Sequence, residues 1–220
     1  MNLNIIKDVG LFRIYSVKQT TAKNAISQNN HATPRDTTSE HEAWGHSSLS
    51  GLNDRNFQAA MLKGVSRTFA LTIPQLPDAL KDVVSNAYLL CRTVDTIEDE
   101  PQLNAKQKKI FSAHFLEILL GQRSADQLTK ELSPLLSDCT IPAEHQLIKE
   151  LGRVVAITQK FDPSQQQSLV RCVRIMSEGM VYFQEHSNGE CLKDQAEMDL
   201  YCYYVAGVVG EMLTELFCLY

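Results

Sequence analysis

Three carboxylates near the end of one predicted helix are the residues of this sequence best suited to chemistry. Asp95, Glu98 and Asp99 recur at helical spacing and, at about 100° per residue, fall inside or beside the apolar arc of a helix over 78–99. A helix C-terminus disfavours each anion by roughly 0.3 to 1 kcal/mol, and burial adds a desolvation cost. Mg²⁺ would offset this cost, because it takes oxygen ligands and bridges carboxylates to substrate phosphates. The alternative is a solvated acidic helix end.

Two arginines accompany the carboxylates and could bind a phosphate. The segment from Ser66 to Phe69 places Arg67 beside hydroxyl groups at the end of the preceding helix, and guanidinium and hydroxyl groups suit a diphosphate. Arg92 lies one turn before Asp95, where it could neutralise that carboxylate or contact a bound phosphate. An ordinary surface arginine is the alternative for Arg67.

A strip of small residues follows a tyrosine in the last predicted helix. Ala206, Gly207 and Gly210 leave little side-chain volume on one side, and glycine costs about 1 kcal/mol in a helix interior compared with alanine. The strip could serve close helix packing or a long hydrocarbon chain. Tyr201 and Tyr204 share a face, and a core tyrosine with a satisfied hydroxyl is the ordinary expectation for each.

These residues depend on helices to position them. Proline lies at likely helix boundaries, and no run alternates with period two, so the pattern predicts an all-α fold. The predicted helices are 54–70, 78–99, 105–120, 143–160, 164–187 and 195–219.

The chain divides near residue 53. Residues 1–53 are predicted to be a flexible polar segment, because 16–53 carry too few apolar side chains to offset their ordering entropy. His41, Glu42 and His46 in that segment are assigned no metal role. Residues 54–220 are predicted to be a helical domain, and an incomplete one at its C-terminus, because the nearly uncharged helix 199–219 would need covering by further helices.

Composition excludes several classes of function. The chain has 220 residues and a formal charge of −5, with a pI near 5.7, which argues against nucleic-acid binding on a basic face. Six scattered cysteines without a CxxC pair predict reduced thiols. No stretch reaches the ~20 apolar residues of a membrane span, so we expect a cytoplasmic protein without a transmembrane segment. Peripheral contact with a membrane surface stays open.

Three segments, taken together and in order, resemble the squalene and phytoene synthases. They are Ser66-Arg67-Thr68-Phe69, the helix from Tyr88 to Asp99, and Tyr201-Cys202-Tyr203-Tyr204-Val205-Ala206-Gly207. The likeness covers roughly residues 54–220. It lacks a second acidic motif, Asn-x-x-Arg-Asp-x-x-x-Asp, which the family carries on a later helix.

The resemblance implies an isoprenoid-synthase helical bundle around a central cavity. It implies the head-to-head condensation of two prenyl diphosphates with Mg²⁺, most simply farnesyl diphosphate to squalene, with NADPH as reductant in that case. Site roles carried over from the family are metal ligation by Asp95, Glu98 and Asp99 and a place near the reacting carbons for Tyr201. Substrate contacts would come from Ser66, Arg67, Phe69, Tyr88, Arg92, Ala206, Gly207 and Gly210, with Arg67 and Arg92 also facing the nicotinamide cofactor.

Other functions compete with this interpretation. A phytoene or dehydrosqualene synthase would carry the same residues, and an inactive helical remnant or interaction protein would keep the sequence without completing the site. Chain-elongating prenyl synthases and terpene cyclases fit less well, because Thr93-Val94 precedes a single Asp95 where the former use a doubled Asp motif.

Overall fold

The computed structural model describes residues 49–186 and 192–220, and within these ranges the secondary structure is helical throughout, without strands. The all-α prediction is therefore confirmed. The helices are α1 (Asp54–Val65), α2 (Arg67–Thr72), α3 (Asp78–Asp99), α4 (Ala105–Leu119), α5 (Ala125–Leu132), α6 (Pro142–Lys149), α7 (Leu151–Thr158), α8 (Pro163–His186), α9 (Gln195–Cys202) and α10 (Val208–Cys218). Short 3₁₀ segments occur at Ile73–Gln75 and Ser133–Leu135, and Tyr203–Gly207, here called the π-turn, is π-helical.

Helix α3 runs through the middle of the bundle. It packs against α1, α4, α6, α7, α8 and α10. Leu89, Leu90 and Ile97 are completely buried, on more than one side of the helix. A helix surrounded in this way holds its last turn rigidly, because neighbours contact it from several directions.

The prediction of one helix over 54–70 is wrong in one respect, because the helix is interrupted at Ser66. Ser66 is extended, with φ −157° and ψ 118°, and its Oγ accepts a hydrogen bond from the Phe69 N–H at 3.1 Å. Serine favours this N-cap geometry over a helix interior, so α2 starts anew at Arg67.

The other differences from the predicted helices have local causes. The predicted helix 143–160 bends at Glu150, whose backbone angles (φ −92°, ψ 10°) lie outside the α region and separate α6 from α7. Helix α5 was not predicted at all. The sequence signal for α5 was the pair Leu128 and Leu132, four residues apart, after Ser124 at the N-cap position. Both leucines are fully buried in the structure. The π-turn interrupts the predicted helix 195–219.

Two further sequence predictions can be compared with the described residues. The cysteines were expected in the core: Cys91 and Cys172 are buried there, whereas Cys202 is partly buried and Cys218 is exposed, and Cys191 lies outside the described ranges. Most of the polar segment 1–53 also lies outside them. No helix in the described ranges has the length and apolar character needed to cross a membrane.

Glu100 ends α3 and anchors the loop that precedes α6. Its carboxylate is fully buried and accepts hydrogen bonds from the Gln102 N–H at 2.9 Å, the Ser137 N–H at 2.8 Å and the Thr140 hydroxyl at 2.8 Å. Burial alone would raise its pKa, but these hydrogen bonds outweigh burial and lower it. Glu100 therefore belongs to the framework, although it adjoins the acidic cluster in sequence.

We expect Glu100→Gln to destabilise the fold by about 2 kcal/mol, because three donors lose a charged acceptor in a buried place. Urea unfolding followed by circular dichroism measures the change. Glu117→Gln is the matched control, since Glu117 is a surface carboxylate bonded to Arg123 and its loss should change little. Equal stabilities of the two variants would contradict the framework role of Glu100.

Candidate functional site

The carboxylates of Asp95, Glu98 and Asp99 occupy the last turn of α3. Asp95 is only 7% exposed, and Glu98 and Asp99 are half-buried. Burial raises the pKa of Asp95 well above its usual value; Arg92 opposes this, and Asp99 and Glu98 add to it. Burial, together with the charge of Glu98 and a hydrogen bond to it, raises the pKa of Asp99 to about 7. This turn is therefore an anionic pocket with too little cationic compensation of its own.

Arg92 is held by a glutamate that the sequence did not reveal. Its guanidinium donates a hydrogen bond to Glu144, near the start of α6, and its Nη1 lies 3.9 Å from Asp95 Oδ2. The side chains of Arg92 and Glu144 are 12% and 7% exposed. Burial lowers the pKa of Arg92, but Glu144 and Asp95 more than offset this and raise it. Arg92 thus lies at the acidic end of α3, and Glu144 already neutralises part of its charge.

Glu98 is fixed from two neighbouring helices. The Gln184 side-chain amide of α8 donates to Glu98 Oε1 at 2.5 Å, and Lys108 of α4 donates to the Glu98 backbone carbonyl. A lysine at a helix C-terminus satisfies a carbonyl and offsets the negative end of the dipole. Neither partner could be found from sequence, because neither adjoins Glu98 in the chain.

The fold brings Tyr201 of α9 to the same acidic turn. Tyr201 is 6% exposed, and its ring lies edge-on to Phe183 of α8, with centroids 5.2 Å apart and planes at 89°. Its pKa is raised, first by burial and then by the negative charges of Glu98, Asp99 and Asp95. Tyr201 and the carboxylates, which are more than a hundred residues apart in sequence, therefore form one cluster.

An apolar cavity of about 250 Å³ opens beside Arg92 and Asp95. Tyr88 and Phe69, both in the predicted site, line it with their ring centroids 4.9 Å apart. Its other walls come from α2, the 3₁₀ segment Ile73–Gln75 with the residue after it, α3, α8 and α10. The residues are Thr72, Ile73, Leu76, Val84, Cys91, Met176, Val209, Met212, Leu213 and Phe217. Sequence reasoning missed these ten residues, whose signal was only that of ordinary core positions. The cavity combines an apolar wall with one charged end.

Ser66 and Arg67 lie outside the residues that line this cavity. The Ser66 hydroxyl caps α2, as described above, and the neighbouring Val65 carbonyl accepts a hydrogen bond of 3.5 Å from the Tyr88 hydroxyl. Arg67 is exposed at the first position of α2. Their roles toward substrate and nicotinamide cofactor stay predictions.

The strip of Ala206, Gly207 and Gly210 is exposed and does not line the cavity. A Cβ at Gly210 would meet nothing within 4 Å, and the atoms nearest to one at Gly207 belong to Tyr203. Helix α10 instead turns Val209, Met212 and Leu213 toward the cavity. The role of the strip beside a hydrocarbon chain is therefore still a prediction, and one that the described cavity does not use.

The acidic turn supplies only part of the ligand set that a magnesium ion needs. Among the described residues, no three His, Cys, Asp or Glu side chains form a group that could hold a metal ion. Mg²⁺ needs fewer, since it keeps water ligands and binds through one or two carboxylates and substrate phosphates. Buried carboxylates with raised pKa values are suited to such an arrangement, because a cation would relieve their mutual repulsion.

Comparison with known proteins gives a consistent picture. The family model for squalene/phytoene synthase matches residues 62–220. A squalene synthase of Botryococcus braunii is 32% identical over 164 residues, covering 74% of this chain and 33% of the relative. A presqualene diphosphate synthase of the same alga is 30% identical over 166 residues, covering 74% and 36%, and the Saccharomyces cerevisiae squalene synthase is 29% identical over 159 residues, covering 71% and 34%.

Solved structures agree in fold. The complex of TcSQS with the ligand BPH1237 superposes with a TM-score of 0.59 at 25% identity, covering 76% of this chain and 45% of that one. This likeness confirms the isoprenoid-synthase fold. The chain spans about a third of the length of the curated relatives that it matches. With its acidic helix end, apolar cavity and matched family model all on the same residues, the chain belongs to the squalene/phytoene synthase family.

Proposed function

We propose that this chain carries the substrate end of a prenyltransferase that joins two prenyl diphosphates head to head, with farnesyl diphosphate as substrate and squalene as product. The observation that carries the proposal is the cavity, whose apolar walls end at Asp95 and Arg92. A molecule with a long hydrocarbon chain and a charged head is complementary to such a shape.

The charges at this end call for cations with the substrate. Arg92 is already paired with Glu144 and lies 3.9 Å from Asp95, so little of its charge is left to attract a diphosphate that arrives without a cation. Bound Mg²⁺, held by carboxylates among Asp95, Glu98 and Asp99, would neutralise the diphosphate and assist its departure. The residues of the chain itself would hold the hydrocarbon between Phe69, Tyr88 and α10 and keep water from the allylic cation that forms.

The proposal is tested by supplying the substrates directly. The full chain is incubated with farnesyl or geranylgeranyl diphosphate, Mg²⁺ and NADPH, and the extracted lipids are identified; the same chain and labelled farnesyl diphosphate are used to measure binding. We expect Mg²⁺-dependent binding of farnesyl diphosphate, with squalene as product. A chain that binds neither diphosphate would favour the remnant or interaction protein, and a product of other length or oxidation state would favour the phytoene or dehydrosqualene alternatives.

Neighbouring residues of α10 offer a matched pair of variants for the cavity. Leu213 lines the cavity, whereas Thr214, about 100° further around the helix, is exposed and does not line it. We expect Leu213→Trp to fill the cavity and weaken farnesyl diphosphate binding, while Thr214→Trp leaves it unchanged. Equal weakening by both variants would show that the cavity is not where the hydrocarbon binds.

Tyr201 can be tested without changing volume. Tyr201→Phe removes one hydroxyl, so a purely structural role should cost about 1 kcal/mol of stability, whereas a role near the reacting carbons should lower turnover strongly at little cost in stability. We expect the second result, because the negative charges of the site carboxylates act on this hydroxyl. A thermal melt and product analysis on one preparation decide between them, and near-normal turnover to the same product would remove Tyr201 from the chemistry.

A further inference from the structure

Gly179, in the interior of α8, is where the π-turn comes closest to that helix. A Cβ at position 179 would lie 2.5 Å from Tyr204 Cβ and closer still to Tyr204 Cγ and Cδ1. Tyr204 could turn Cγ and Cδ1 away by changing its rotamer, but its Cβ is fixed by the backbone and cannot move aside unless the backbone moves. A glycine in a helix interior is otherwise disfavoured. Only glycine therefore allows Tyr204 and α8 to approach to this distance.

Tyr204 and Tyr201 share one neighbour on α8. Phe183, one turn after Gly179, lies edge-on to Tyr201 at 5.2 Å and to Tyr204 at 6.3 Å between ring centroids. Both tyrosines thus pack on the same two turns of α8.

The same part of α8 also reaches the acidic end of α3. Gln184 follows Phe183 directly and donates to Glu98 Oε1. Phe183 therefore contacts Tyr201, and the next residue, Gln184, holds the carboxylate of Glu98. A displacement of α9 from α8 would move Tyr201 relative to Glu98, because Glu98 stays bonded to α8.

The π-turn begins two residues after Tyr201. It spans Tyr203–Gly207 and widens the helix between α9 and α10. Such turns occur as short interruptions of α-helices and often lie at functional sites. Tyr204 belongs to this π-turn and contacts Gly179, so the π-helical backbone and the glycine inside α8 meet at one contact.

We propose that Gly179 is a positioning residue whose contact with Tyr204 sets the depth of the π-turn and thereby places Tyr201 against Phe183 and the acidic end of α3. The functional part of this inference rests on the proposed prenyl diphosphate chemistry at Tyr201. The geometric part does not depend on that chemistry and is tested separately.

The geometric test measures the accessibility of Tyr201 in the full chain by hydroxyl-radical footprinting and mass spectrometry. Gly179→Ala should raise the modification rate of Tyr201 severalfold, while Tyr220, already 66% exposed, serves as the internal reference. Gly152→Ala in α7 is the matched control, because a Cβ there would make ordinary contacts, 3.7 Å from Ala125 Cβ and 3.9 Å from Asp126 Oδ1. Unchanged protection of Tyr201 in Gly179→Ala would overturn the proposal.

A second variant separates displacement from general unfolding. Phe57 of α1 is fully buried, and α1 packs on α2, α3 and α6, so modification of Phe57 reports a part of the fold away from α8. If Gly179→Ala exposes Phe57 as well, Gly179→Ala with Tyr204→Gly decides, because it removes the clashing atoms. Recovery of Tyr201 protection in this double variant supports the proposal, and failure to recover it overturns it.

Turnover of farnesyl diphosphate gives the functional readout. We expect Gly179→Ala to lower kcat by about 100-fold, as a misplaced reacting group does, with KM little changed, and the double variant to regain part of kcat. A fall in kcat with Tyr201 still protected would overturn the positioning role. An inactive unsubstituted chain would count against the proposed function alone, since footprinting still decides the contact.

Discussion

The double variant Asp95→Asn/Asp99→Asn is expected to lose Mg²⁺-dependent binding of diphosphate while keeping its helical content. Both carboxylates lie in the last turn of α3, and Asp95 lines the charged end of the cavity. We expect affinity to fall by at least about 100-fold, because removing even the supporting partner of a metal ligand costs up to that much. Isothermal titration with inorganic diphosphate, with and without Mg²⁺, measures the loss.

The same substitutions should stabilise the chain in the absence of ligand, by about 1 kcal/mol in total, because they remove anions from a helix C-terminus. Asp82→Asn is the matched control: Asp82 lies on α3 but pairs with Arg55 on the surface, away from the cavity. It should leave diphosphate binding unchanged. If the double variant bound diphosphate as the unsubstituted chain does, the metal assignment would be wrong.

Glu144→Gln should destabilise the fold by about 3 kcal/mol, because it leaves the buried guanidinium of Arg92 without its main carboxylate partner. Urea unfolding measures the change. Replacing both partners with apolar residues, as Arg92→Met/Glu144→Leu, should recover most of the loss, since no buried charge is then left unpaired.

This pair of variants separates the ion pair from simple packing. If Glu144 only filled space, glutamine would serve equally well, and the single variant would unfold at the same urea concentration as the unsubstituted chain. Were the pair intrinsically stabilising, the apolar double variant would be as unstable as the single one. Either result would contradict our account of how α6 holds Arg92 beside Asp95.

Local patterns predicted the parts of this protein that depend on neighbours along the chain. Helix α3 has the bounds that its sequence predicted, because periodicity and flanking prolines act within a few residues. The spacing of Asp95, Glu98 and Asp99 placed them on one edge of that helix. The end of α1 at Ser66 was missed, although a serine cap was its signal.

Tertiary structure decided which of these residues meet. Glu100 and Asp99 adjoin in sequence, yet Glu100 binds the Ser137–Thr140 loop while Asp99 faces the acidic turn. Arg92 is committed to Glu144, 52 residues away, and α10 lines the cavity through Val209 and Leu213 while its glycine strip is exposed. Periodicity defines the faces of a helix, but which face meets which neighbour depends on helix crossings between residues far apart in the chain, and no local pattern specifies those crossings.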